Sequence, residues 1–129
     1  MRFGRLLRTG LVVLILLYMT GCERDRPSPG VLEATVEGPA GPFAAAVLEV
    51  AGEGVKEVKP AAGTRVWTRE MEPERIRFVV IQPGEGPLSF GVRVADRSGP
   101  APTFTIVELA DANDENVLPT GDDRIRIRR

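Results

Sequence analysis

From residue 31 onward, Gly and Pro cut the chain into short apolar runs, and most of these runs alternate between apolar and polar side chains. A period of two sends successive side chains to opposite faces of an extended strand, so the pattern predicts half-buried strands. Leu32, Ala34 and Val36 oppose Glu33, Thr35 and Glu37. Ile76, Phe78 and Val80 oppose Arg75 and Arg77, and Leu88, Phe90, Val92 and Val94 oppose Ser89, Gly91 and Arg93. Further strands are expected over Val55 to Val58, Thr64 to Arg69, Thr103 to Leu109 and Arg124 to Arg128. The run Phe43 to Ala51 fits either period, since Phe43, Val47 and Val50 share a helical face while Ala46, Leu48 and Val50 share a strand face. The glycines at 52 and 54 and the lack of an N-cap decide it as a strand.

Turn chemistry separates these runs. Gly38 to Pro42, Pro60 to Gly63 and Gln82 to Pro87 are Gly/Pro clusters, Asp96 to Pro102 is a loop, and Asp111 to Asn116 is a polar turn. Glu70 to Glu74 is expected as a charged turn around Pro73. Seven or eight strands at roughly ten-residue spacing, with no convincing helix, predict an all-β fold: a single β-sandwich covering residues 31–129.

The composition excludes several chemistries. The chain of 129 residues has no His, one Cys and a formal net charge of −1. Imidazole base catalysis, His-dependent triads, a CxxC pair and most zinc or haem sites are therefore absent. The charge balance supplies no basic field for nucleic acid. Ser28, Ser89 and Ser98 have no His partner, and there is no GxSxG, P-loop or GxGxxG. The chain reads as a non-enzyme with no cofactor and no metal.

The N-terminus carries an address. Arg2, Arg5 and Arg8 precede the unbroken apolar run Leu11 to Tyr18, which ends at Met19-Thr20-Gly21-Cys22. A positive start, a short apolar middle and small residues at the cut define a secretory signal. The run is shorter than the roughly 20 residues a bilayer span needs. Met19-Thr20-Gly21-Cys22 resembles the lipobox of bacterial lipoproteins, with Met19 in place of the usual Leu. The resemblance implies a signal peptide over residues 1–21, cleavage before Cys22, and diacylglyceryl lipidation of the Cys22 thiol. Residues 22–30 then form the lipidated Cys and a flexible tether, whose charged, Pro-containing part Glu23 to Gly30 spans at most about 28 Å. By the same resemblance Glu23, not being Asp, favours the outer membrane in a Gram-negative cell. The expected location is the cell envelope, with the membrane held through the lipid and a protein partner possible.

Three further motifs carry a sharp and a bland reading. Asp111, Asn113, Glu115 and Asp122 have a calcium-like spacing, but position six is Asn116 and no helix flanks them, so an Asp/Asn turn is expected. Trp67 is a candidate sugar platform, yet no second Trp exists, and core filling or partial burial at a sheet edge is expected. Arg124, Arg126 and Arg128 make a basic strip that suits phosphate headgroups or, as preferred here, the solvated side of a guarded edge strand.

From Phe43 onward the order of elements resembles the cohesin-type sandwich. The aliphatic strands Ala46 to Val50 and Gly54 to Val58, the Gly-rich entry into Gly84 to Val94, and the Asp-type turn ending Thr105 to Asn113 carry the likeness. The Tyr-Asp-Pro usual after the early strand is missing. The likeness implies the fold and a bias toward binding. The expected function is a non-catalytic binding or assembly module of the envelope. The alternatives are a structural accessory with no discrete ligand site and, behind it, a glycan-processing enzyme.

Overall fold

The computed structural model describes residues 26–129. Their order is β1(Gly30–Glu37), β2(Phe43–Ala51), β3(Val55–Pro60), β4(Arg65–Glu72), β5(Arg75–Ile81), β6(Ser89–Val94), β7(Thr103–Asp111), β8(Asn116–Val117) and β9(Arg124–Arg128). They pair into a four-stranded sheet, β3-β6-β1-β9, and a five-stranded sheet, β4-β5-β2-β7-β8. Every pairing is antiparallel. The two sheets pack face to face as one β-sandwich. The signal peptide and Cys22 lie outside the described residues.

Period-two burial builds the core. Leu32, Ala34 and Val36 of β1 join Phe90, Val92 and Val94 of β6 on one inner face. Ala46, Leu48 and Val50 of β2 join Ile76, Phe78 and Val80 of β5 on the other. Phe90 meets Phe78 edge-on at 4.8 Å and Phe104 at 5.8 Å, so aromatic contacts span the sheets. The strand choice for Phe43 to Ala51 is correct: β2 is a central strand between β5 and β7.

Three details depart from the expectation. First, Glu70 to Glu72 is not a turn but the end of β4, with a register shift around Met71, and only Pro73-Glu74 turns the chain. Backbone pairing to β5 carries the strand past the point where its apolar pattern stops. Glu74 takes φ 64°, the left-handed conformation a tight turn demands. Second, β8 adds a ninth strand, a two-residue bridge to Leu109 and Ala110 with no sequence signal of its own. Third, Ser89 faces outward as expected but is only 6% exposed, because β6 is a central strand and its hydroxyl bonds Thr35 Oγ1 at 2.9 Å.

Polar clasps close both ends. At one end Thr64 Oγ1 donates to the Ser89 carbonyl at 2.8 Å, and Gln82 accepts from Gly84 N–H at 3.1 Å, holding the Gln82 to Pro87 turn. At the other end Asp96 Oδ1 accepts from the N–H groups of Ser28 and Ser98 at 3.1 and 3.0 Å, while Arg97 N–H donates to the Ser28 carbonyl at 2.7 Å. The chain is thus fastened from Ser28, ahead of β1. These two backbone N–H donors, Ser28 first, hold the Asp96 carboxyl below its ordinary pKa.

Candidate docking face

The outer face of the five-stranded sheet is ordered by register into rows that run across the strands. Directly opposite residues in an antiparallel pair share a side, so each row can be followed from β4 to β7. The first row is Arg65, Ile81, Ala45, Ala110. The second is Trp67, Val79, Val47, Glu108. The third is Arg69, Arg77, Glu49, Thr105, and the fourth is Glu72, Arg75, Ala51, Thr103. The first two rows form an apolar half and the last two a charged half.

Trp67 anchors the apolar half. It sits on the edge strand β4 and is 55% exposed, so it takes the second of its two expected places, a sheet edge, and does not fill the core. Val79, Val47, Ile81, Ala45 and Ala110 beside it are half-buried, and Val107, at the register shift of β7, is 36% exposed. A contiguous apolar surface rimmed by arginines differs from scattered exposed apolar side chains, which are ordinary.

The charged half is organised around Glu49. Its side chain is 11% exposed and lies between two guanidiniums: Arg75 Nη2 at 2.8 Å from Oε2, and Arg77 Nη2 at 2.7 Å from Oε1. Hydrogen bonds from Arg75 and then Arg77 hold the Glu49 carboxyl below its ordinary value, against the opposing effect of burial. The carboxylate is held in its charged form between the two guanidiniums. The stabilisation from a depressed carboxyl is present above the unfolded value and lost as pH falls through the folded one. The thermal midpoint of the protein is therefore expected to drop as pH is lowered below 4.5, the ordinary Glu value. Glu49→Gln is expected to lower the midpoint at neutral pH and to flatten that acid slope. Thermal melts of both proteins from neutral to acid pH check this; parallel curves would refute it.

The opposite face carries more charge, with Val31 of β1 exposed among the charged side chains. On the four-stranded sheet Glu57 pairs with Arg93 at 3.1 Å, and Glu37 with Arg126 at 3.5 Å and Arg124 at 3.9 Å. The basic strip of β9 is thus the solvated side of an edge strand, with Ile125 and Ile127 packed inward against the core. Asp111 caps its own turn: Oδ1 accepts from Asn113 N–H at 2.9 Å and Glu115 N–H at 3.1 Å. Among the described residues no group of three or more His, Cys, Asp or Glu is placed to hold a metal ion. Of the serines, Ser28 and Ser98 are held to Asp96 and Ser89 to Thr35.

The sequence reading singled out Trp67 but missed Val47, Val79 and Glu49 as members of one surface. Their only signal was the outward phase of β2 and β5. No known family model, curated protein or solved structure matches this chain.

Proposed function

We propose that the chain is a lipoprotein of the bacterial cell envelope, anchored to a membrane through lipidated Cys22, whose sandwich acts as a non-catalytic binding module. The observation that carries the binding part is the Trp67 row itself: Trp67, 55% exposed, stands in one line with Val79 and Val47 across three strands of the five-stranded sheet. Contiguous exposed apolar surface marks a protein, ligand or membrane contact, and the exposed aromatic at its centre favours a protein partner.

The position of that surface suits an anchored module. Row four lies at the end where Ser28 is fastened to Asp96, since Ala51 leads into the 52–54 turn whose Gly54 carbonyl accepts from Ala95 N–H. Val47 stands four residues back along β2, about 13 Å away, and Ala45 about 20 Å. Glu23 to Pro27 extends at most about 18 Å. The tether enters at the fastened end, and the apolar rows lie about 13–20 Å from that end along β2.

The test is photocrosslinking in cells, with a photoreactive residue at Val47 or Val79 and a control at Glu33 on the other face. Protein adducts are expected from Val47 and Val79 and not from Glu33. Equal labelling from both faces, or none from either, would favour the structural accessory and remove the docking face.

A further inference from the structure

An open sheet edge presents unpaired backbone N–H and C=O groups and recruits another strand unless it is blocked. Two edges are guarded: β3 ends in Pro60 and carries Lys56 and Lys59, and β9 is 5 residues long with Arg124 and Arg126 tied to Glu37. On the far side of the five-stranded sheet β8 covers only Leu109 and Ala110, and β7 is bulged at Val107. The β4 edge is 8 residues long, has neither Pro nor Lys, and pairs with β5 in unbroken register from Arg65 to Glu70, before a bulge at Met71.

The outward side of β4 is also chemically distinct. Arg65, Trp67 and Arg69 stand at alternate positions, about 6.7 Å apart along the strand. Among the described residues neither Arg65 nor Arg69 takes part in an ion pair, as is also true of Arg26, Arg97, Arg128 and Arg129; what sets β4 apart is that its two flank an exposed Trp on one side of an edge strand. Arg77, beside Arg69, is already satisfied by Glu49.

We propose that the β4 edge accepts an extended segment of a partner protein as an added strand, and that this segment carries carboxylates two positions either side of an apolar residue. Same-side pairing sets the carboxylates opposite Arg65 and Arg69 and the apolar side chain against Trp67. Backbone hydrogen bonds supply the register, and the two unsatisfied guanidiniums supply the selection. A second copy is a poor occupant: antiparallel pairing of two β4 strands centred on Trp67 sets Arg65 of each against Arg69 of the other, like charge against like. The inference rests on the binding-module reading and names the chemistry of its partner.

Trp67 is the single tryptophan, so its fluorescence reports the site directly. The full chain in detergent micelles is titrated with the capped peptide Thr-Glu-Thr-Leu-Thr-Glu-Thr and with its counterpart bearing Lys at both Glu positions. The Glu peptide is expected to shift Trp67 emission saturably, with the Lys peptide weaker by on the order of tenfold. The double variant Arg65→Glu/Arg69→Glu is expected to reverse that preference. Methylating alternate backbone nitrogens of the Glu peptide, in each of the two phases, is expected to abolish binding in one phase. No response to the Glu peptide, equal response to both peptides, or indifference to both methylation phases would overturn the proposal. So would a Trp67 shift that depends only on the concentration of the chain itself, which marks self-association. Crosslinks from Val47 and Val79 together with a silent Glu peptide would leave the docking face standing and remove the β4 edge.

Discussion

Replacing Phe90 with alanine is expected to cost about 3–5 kcal/mol, the range for truncating a buried aromatic. Phe90 is 0% exposed and sits on β6, in the middle of the four-stranded sheet. Its ring is the meeting point of the two layers, edge-on to Phe78 of β5 and to Phe104 of β7 in the opposite sheet. Alanine removes both contacts and leaves a cavity that the flanking strands cannot close, because each is held in register by its own ladder. A domain of this size has roughly 5–15 kcal/mol to lose. The melting midpoint should fall by on the order of 15–25 °C, with little change in the denaturant m-value. Trp67→Ala, on the outer face, should change stability by less than about 1 kcal/mol. A cost below about 1 kcal/mol at Phe90 would refute the packing of one sheet on the other.

Cys22→Ala is expected to abolish incorporation of labelled palmitate and to leave the leader uncleaved. The expectation follows from the proposed anchor. Each buried acyl methylene contributes about 0.8 kcal/mol, so one chain holds marginally and two or more hold firmly; the substitution removes the attachment point for all of them. The readouts are palmitate label and electrophoretic mobility, since an uncleaved leader could itself keep the variant at the membrane. Label in the variant equal to wild type, or no label in wild type, would end the lipoprotein reading. The thermal midpoint of the sandwich is expected to stay unchanged in this variant, which separates anchoring from folding.

Much of the architecture was legible along the chain. The runs Arg75 to Ile81 and Leu88 to Ala95 alternate so regularly that the pattern alone gives their inward faces, Ile76, Phe78, Val80, Leu88, Phe90, Val92 and Val94, all of which are buried. The turns were legible for the same reason, since Gly and Pro are local conformational requirements. Glu70 to Glu72 was misjudged because a strand held only by its neighbour's backbone needs no apolar pattern. The burial of Ser89 escaped because an outward position is exposed at an edge and covered at a centre, and alternation does not distinguish the two.

The candidate site was far less legible. Trp67, Val79 and Val47 are brought abreast by the order β4-β5-β2, and Glu49 meets Arg75 and Arg77 through the β2–β5 register. Neither can be read from the spacing of those residues along the chain.

By itself, then, the sequence determined eight of the nine strands, the inward side chains of the alternating ones, and the Gly/Pro turns, because these depend on neighbours one or two residues away; β8 and the end of β4 depend on pairing. Only the tertiary structure decided which strand lies beside which, which edges stay open, and which outward side chains share a surface. Those depend on pairings between segments tens of residues apart, and a period of two is the same for every partner a strand could choose.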